Sequence, residues 1–333
     1  MSKKVAVALS GGVDSAVTAK LLLDEGYEVV GITGRMTCSD DFETVIKNAK
    51  RVADKLGIEH YAYDAAKVFD EKVIKYFESS YANGETPNPC IMCNKHIKWG
   101  CLFDYAINEL GADYIATGHY ANIKDGKLYP ASDEHKDQLY FLFMLTEDKL
   151  NRTLFPLSKY KKEEVRALAE KFDLPPKSSK ESQDICFIKA PMTTKKYLNN
   201  AFGVKEGKFV EKSTGRVLGR HDGFWQYTIG QRKGIGIAAP EPLYVIGIEP
   251  ETNTVYVGSK DELFTKELIL KDFTWKDEEF EALVKIRYNM KAVKAQVKGG
   301  KIIFDEPVSA VTKGQACVLY DINDGHLLGG AWI

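Results

Sequence analysis

The chain has 333 residues, 44% hydrophobic and 28% charged, with a formal net charge of −1 and six cysteines. That length exceeds one ordinary core, so two or three domains are expected. A membrane span (~18 apolar residues), a signal-peptide core and a secreted disulfide scaffold are all absent from the pattern, which points to a reducing cytoplasm and no membrane partner. Strand-like runs at 5–9, 28–33, 58–63 and 113–117 alternate with helical patterns at 14–25, 43–56, 67–81 and 94–110. Such alternation predicts an α/β domain, a parallel sheet with helices on both faces. Ligands of these sheets bind beyond the strand carboxyl ends. That rule gathers Ser10–Ser15, Gly34-Arg35 and Gly118-His119-Tyr120 at one edge.

The string Ser10-Gly11-Gly12-Val13-Asp14-Ser15 follows the first strand and opens the first helix. Paired glycines let a backbone approach a ligand closely, and the helix's first N–H groups favour an anion. Ser10 and Ser15 add hydroxyls, and Asp14 beside a phosphate suits a bridging divalent cation. A plain helix cap by Asp14 and Ser15 fits the same residues. A Walker-type loop does not, since no Gly-Lys-Ser/Thr follows. The string resembles the SGGxDS signature of the PP-loop ATP pyrophosphatases, which implies ATP binding.

Further on, Thr86-Pro87-Asn88-Pro89-Cys90-Ile91-Met92-Cys93 is stiffened by two prolines. Cys93 is expected just before a helix, and Lys95, His96 and Lys98 follow; both features lower a thiol pKa. A buried structural pair is the alternative. Zinc would need four ligands, and no second CxxC exists. Gly118 would admit a nucleotide, His119 could meet a polyanion or be structural, and Tyr120 reads as packing. Residues 138–145 read as a buried apolar helix, and 159–171 as an amphipathic helix whose Lys159, Lys161 and Lys162 could face phosphates or only solvent, solvent being the preferred reading for the cluster alone. A stiff-then-polar segment, 175–180, precedes Cys186, where mobility would suit a sulfur-carrying cysteine. Cys101 and Cys317 are expected in cores; Cys38 has no assigned role.

From about Thr193 short β runs take over: 208–211, 217–220, 243–249 and 254–258. The glycine-loosened basic stretch 227–236 reads as a loop for RNA phosphates. The last seventy or so residues alternate as a small barrel. There Arg287-Tyr288 pairs a phosphate fork with a stackable ring, against the alternative of a solvated strand face. The expected domains are 1–192, 193–262 and 263–333.

Taken together, the PP-loop, Thr86–Lys98, Ala116–Tyr120, Asp137–Leu142, Cys186–Ile188 and Gly230–Ile237 resemble the bacterial tRNA-specific 2-thiouridylases over essentially the whole chain. The resemblance implies a PP-loop (adenine nucleotide alpha hydrolase-like) domain followed by two β-rich domains, the last a β-barrel. It implies an ATP-dependent enzyme that adenylates O2 of a tRNA wobble uridine and replaces it with sulfur from a persulfide or sulfide donor. By position, Ala8, Leu9, Ser10, Gly11, Gly12, Val13, Asp14, Ser15, Gly34 and Gly118 would hold ATP, with Mg2+ inferred. Cys93 matches the nucleophile, Cys186 the persulfide carrier, and Asn88, Pro89 and Cys90 the segment on the target base. Lys136, Asp137, Gln138, His119, Arg287, Tyr288 and Gln315 match tRNA contacts. Many family members carry Asp at the position of Cys90, cast as an acid–base group, and a thiol replaces a carboxylate poorly. Cys90, Cys93 and Cys186 would instead suit a [4Fe-4S] cluster with one open iron. The two implied routes therefore are a Cys186 persulfide resolved by a Cys93–Cys186 disulfide, and a cluster with no disulfide. A PP-loop ligase forming an amide or amidine on a small metabolite is the competing function; it has no need of three thiols. An RNA- or iron-binding module without catalysis would leave the PP-loop unexplained.

Overall fold

The structure, a computed structural model, describes residues 2–37, 40–175, 185–276 and 278–333. Cys38, most of the stiff-then-polar segment at 175–180, and residues 182–184 before Cys186 lie outside the described residues. The chain divides into two compact units: residues 1–74, 90–181 and 323–327, and residues 75–89, 182–322 and 328–333.

The first unit is built on a five-stranded sheet in the order β3-β2-β1-β4-β7. Its strands are β1 (Lys4–Ala8), β2 (Glu28–Arg35), β3 (His60–Asp64), β4 (Tyr114–Ala116) and β7 (Thr153–Leu154), all paired in parallel. Val5, Ala6 and Val7 of β1 are fully buried. A strand apolar on both faces belongs in the middle of a covered parallel sheet. The helices α1 (Val13–Asp24) and α2 (Asp40–Leu56) follow β1 and β2. Because β2 and β3 run out to one side of β1 while β4 lies on the other, β1 and β4 flank the topological switch point. A hairpin of β5 (Asn122–Lys124) and β6 (Lys127–Tyr129) follows. The expected helix at 138–145 is a single 3₁₀ turn, Leu139–Leu142. Its burial was foreseen, with Leu139, Tyr140 and Leu142 inside, but four residues suffice to fill the space. The amphipathic helix forms as Lys162–Lys171, preceded by a short 3₁₀ turn at Pro156–Lys159.

The second unit carries two sheets. The smaller has the order β10-β11-β8-β9, from Tyr244–Glu249, Thr254–Gly258, Gly207–Glu211 and Val217–His221. Its core gathers Phe209, Phe224, Trp225, Val245, Val255 and Val257. The helix Thr194–Phe202, in a stretch for which the sequence reading placed no element, precedes it. Thr193 caps that helix, its hydroxyl accepting from Lys196 N–H at 3.3 Å, a cap worth about 1 kcal/mol. The larger sheet has six strands, β12 (Phe264–Ile269), β13 (Glu279–Lys285), β14 (Val293–Lys298), β15 (Lys301–Ser309), β16 (Ala316–Tyr320) and β17 (Leu327–Trp332), in the order β12-β15-β14-β13-β16-β17. Thr274, beyond β12 (Phe264–Ile269), bonds through its backbone and hydroxyl to Gly330 of β17 (Leu327–Trp332). These bonds tie the two ends together, as a barrel requires. Among the described residues no helix is long and apolar enough to cross a membrane.

Candidate active site

The turn after β1 is shaped by what presses on it. Gly11 has φ of +72°, and a Cβ there would lie 2.7 Å from Asn48 Cβ and 3.0 Å from the Ala49 nitrogen of α2. Both conformation and space therefore demand glycine. Ser15 Oγ accepts from Ser10 N–H at 3.1 Å and donates to Gly12 O at 3.0 Å, with the Ser10 hydroxyl 3.2 Å away. The two serines brace the turn that presents the first N–H groups of α1. Gly118, after β4, is packed against the same helix start. A Cβ there would fall 2.9 Å from Asp14 Cβ and 3.0 Å from Ser15 N. The close approach that Gly118 permits is thus the approach of α1 itself. Gly34 meets only Leu102, at 3.3 Å.

Asp14 departs from expectation. Lys162 Nζ donates to both its oxygens at 2.7 Å, and Tyr120 OH donates to Oδ1 at 3.0 Å. The carboxylate already holds a cation, so as placed it does not fit a resident Mg2+. Lys162 is buried rather than solvent-facing, and Tyr120, expected to be packing alone, is a buried donor as well. The sequence reading gave Tyr120 no part in the site, and for Lys162 it preferred solvent over phosphates. The only signal was Lys162's place in the first turn of an amphipathic helix, and lysines there usually face water.

Residues 136–138, matched to tRNA contact, are largely occupied within the unit. Gln138 Oε1 accepts from Tyr120 N–H at 3.1 Å, and Asp137 accepts from the N–H groups of Ala131 and Leu139. Lys136 lines an open groove of about 570 Å3, together with Asp133, Lys161, Lys162 and Arg166. His119 is also enclosed. Its Nδ1 lies 2.6 Å from Thr117 Oγ1 and its Nε2 3.1 Å from Lys98 Nζ, with Trp99 and Phe155 rings alongside. Burial first, then the Lys98 charge, hold the imidazole well below its usual pKa. It is neutral, with Nε2 accepting from the ammonium and Nδ1 donating to Thr117. In this arrangement His119 lies against Lys98 and is 8% exposed.

The helix that bears the thiols begins at Pro89, not after Cys93. Pro89–Cys93 is its first turn, and helical turns of wider π type carry on through Asn94–Cys101. Proline suits a first helical position because its missing N–H would go unpaired. Cys90 is consequently the thiol near the N-terminus, and Cys93 lies a turn inside at 9% exposure. Three residues apart, they share one helix face. Cys90 reaches the surface, yet desolvation raises its pKa, opposed only in part by the Lys98 ammonium. The expected acidifying effect of the helix start does not prevail. Cys317 is buried and its pKa raised by desolvation; Cys101 is half-buried, its Sγ donating to Ile97 O at 3.8 Å.

In the second unit Cys186 is exposed at the corner of a turn closed by Ile188 N–H on Ile185 O at 2.9 Å. Phe187 packs edge-on against Phe77, 5.3 Å between centroids, and Ile188 is buried. Those neighbours hold the turn and leave the sulfur accessible. None of the described cysteines is in a disulfide, so the expected Cys93–Cys186 bond is not formed here. The same unit holds the strap 86–89. Thr86 N–H donates to Lys313 O at 2.8 Å, and Gln315 Nε2 donates to Thr86 O at 2.7 Å. Asn88 bonds through its backbone to the Tyr76 hydroxyl, whose pKa burial pushes up to about 12. Gln315 thus spends its amide on the strap. Arg287 bonds Ser309 O at 3.0 Å, and Arg287 and Tyr288 are half-buried in the turn after β13 (Glu279–Lys285). Arg232 and Lys233 are exposed on the basic loop.

A parallel sheet with a braced glycine turn at its switch point defines a nucleotide-binding protein of the HUP class. Residues 3–190 match the family described as tRNA methyl transferase HUP domain, 195–259 the tRNA methyl transferase PRC-barrel domain, and 263–333 the aminomethyltransferase beta-barrel domain. The tRNA-specific 2-thiouridylase MnmA of Carboxydothermus hydrogenoformans is 46% identical, over 99% of this chain and 97% of that one. The tRNA-specific 2-thiouridylase MnmA 1 of Clostridium tetani is 44% identical, over 100% and 97%. The chain belongs to this family of tRNA-specific 2-thiouridylases. Among solved structures, the U34-tRNA thiolase NcsA of Methanococcus maripaludis, with its [4Fe-4S] cluster, is 23% identical with a TM-score of 0.36, over 54% of this chain and 62% of that one. That likeness is too slight to bear on the thiols.

Proposed function

We propose that this protein is an ATP-dependent tRNA uridine 2-sulfurtransferase. The observation that carries the reading is full-length similarity, 46% over 99% of the chain, to a tRNA-specific 2-thiouridylase. The nucleotide sits at the β1–β4 switch point, its phosphates on the turn Ser10–Ser15 and the start of α1. Uridine O2 attacks the α-phosphorus, giving an O-adenylate and pyrophosphate. Adenylation turns a poor leaving oxygen into AMP, which a sulfur nucleophile at C2 can expel.

Sulfur arrives as a persulfide on Cys186, whose exposure suits collection from a donor. The terminal sulfur attacks C2 and AMP departs with the oxygen and the bonding pair. Attack by the Cys93 thiolate on the Cys186 sulfur then leaves a Cys93–Cys186 disulfide and frees 2-thiouridine; an external dithiol must reduce that disulfide before another turnover. The bases 86–89 are proposed to face are those of the tRNA, with Arg232, Lys233, Arg287 and Tyr288 on its backbone. A second delivery route is supported by Cys90 and Cys93 sharing a helix face, a spacing that suits two ligands of an iron–sulfur cluster with Cys186 as third. Bound there, a cluster would supply an open iron able to hold hydrosulfide.

The test is incubation with ATP, a sulfur source and unmodified tRNA, followed by nucleoside analysis for 2-thiouridine. Cys186→Ser is expected to lose 2-thiouridine while still releasing tRNA-dependent pyrophosphate. Pyrophosphate release that answers to a small metabolite and not to tRNA would instead favour the amide- or amidine-forming ligase. Iron and sulfide counts after anaerobic reconstitution separate the two sulfur routes.

A further inference from the structure

Where a metal was expected at the nucleotide turn, the structure holds a lysine. Lys162 opens its helix, and its backbone N–H is tied to Asp133 Oδ2 at 2.9 Å. Its side chain, 8% exposed, runs from the rim of the open groove to place Nζ 2.7 Å from both oxygens of Asp14. Tyr120 supports the pair twice, through its hydroxyl on Asp14 Oδ1 at 3.0 Å and its ring 5.8 Å from Nζ. Gln138 in turn fixes the Tyr120 backbone. A lysine–carboxylate pair whose lysine is buried and whose aspartate is about a third exposed (9% and 32%) is a weak way to stabilise a fold, because desolvation and solvent screening offset most of the attraction. Its placement suggests another use. Asp14 lies in the first turn of α1, where its charge would repel the phosphate that the helix start is built to attract. The ammonium cancels that charge.

We propose that Lys162 is the resident cation of the nucleotide cradle, latched on Asp14 in the empty enzyme and transferred to the triphosphate oxygens when ATP binds. A triphosphate offers more negative charge and more acceptors than one carboxylate, so it competes for the ammonium. Lys162 also lines the open groove beside the turn. This inference rests on the nucleotide reading above and deepens it by naming the side chain that meets the phosphates.

Two substitutions act with opposite sign, and binding of a non-hydrolysable ATP analogue in EDTA reads both without turnover. Lys162→Gln removes the cation and leaves Asp14 facing the phosphates; binding should weaken about ten- to a hundredfold. Asp14→Asn keeps shape and hydrogen-bonding atoms but releases the ammonium; metal-free binding should tighten about three- to tenfold. Thermal unfolding checks that each variant is folded, and if Lys162→Gln is not, the sign of the Asp14→Asn effect decides. Equal affinity of wild type and Lys162→Gln, or weaker binding by Asp14→Asn, overturns the latch while leaving the nucleotide reading intact. A wild type that binds the analogue with Mg2+ but not in EDTA overturns the latch alone, and one that binds it under neither condition overturns both.

Discussion

His119 keeps its imidazole neutral because a charged ring would sit without water beside the Lys98 ammonium. The unfolded chain takes up a proton there as pH falls through about 6.5, and the folded chain does not. Stability is therefore fully present above that pH and declines below it, by up to about 1.4 kcal/mol per pH unit for one such group. His60 and His221, depressed by burial, act in the same direction. Thermal unfolding between pH 7.5 and about 5 should show the midpoint falling with acid, and falling less steeply in His119→Asn. Slopes matter here, since the substitution also removes packing against Trp99; identical slopes would place the acid sensitivity elsewhere. Gly118 offers a second single-residue test. Alanine there puts a methyl carbon 2.9–3.0 Å from backbone and Cβ atoms of the α1 start. Those atoms cannot rotate away, so overpacking should cost about 1–3 kcal/mol in stability. Binding of the ATP analogue should fall with it, because the displaced turn is the proposed phosphate site. Unchanged binding would separate Gly118 from the nucleotide.

Among elements, those with buried, regular patterns were legible and those defined by partners far along the chain were not. The strand β1 reads from its apolar run because it is covered on both faces. Strand β17 hides behind two glycines in Leu327–Trp332, and β12 exposes most of its residues, so neither shows clean alternation. The thiol helix was placed five residues late because Pro89 reads as a breaker, whereas at a first helical position it starts the helix. Lys162 was misread for a different reason: its partner Asp14 lies 148 residues away, and no local period encodes that pairing. Gln315 was picked out as a tRNA contact, and its amide donates to Thr86 O. Its bond defines a prediction about the strap as an element. Gln315→Ala strips a donor from the Thr86 carbonyl, a loss of roughly 1–2 kcal/mol in holding that segment. Thiolation should drop about tenfold by the same figure, while affinity for the ATP analogue, read in the other unit, stays as in wild type. If thiolation is unaffected, the strap does not present the base.

For the molecule as a whole, the three thiols proposed for sulfur transfer differ in what guards them. Cys186 stands exposed on a turn held by Ile188 and Phe187; Cys90 is at the surface but desolvated; Cys93 is buried a turn inside its helix. Only the thiolate reacts with a maleimide or iodoacetamide, so access and acidity together set the order of modification. In a brief pulse on the native protein read by peptide mass spectrometry, Cys186 and Cys90 should be labelled before Cys93. Cys317, fully buried with a raised pKa, should label only after denaturation. The pH profile adds a second constraint. The Cys90 pKa is raised above its ordinary 9.0 despite Lys98, so its labelling should keep rising beyond pH 9, and Lys98→Met should slow it at every lower pH. The proposed chemistry then follows from this ordering: the exposed thiol collects sulfur, and the guarded one stays reduced until the product is to be released. Labelling of Cys93 ahead of Cys186 would reverse those roles.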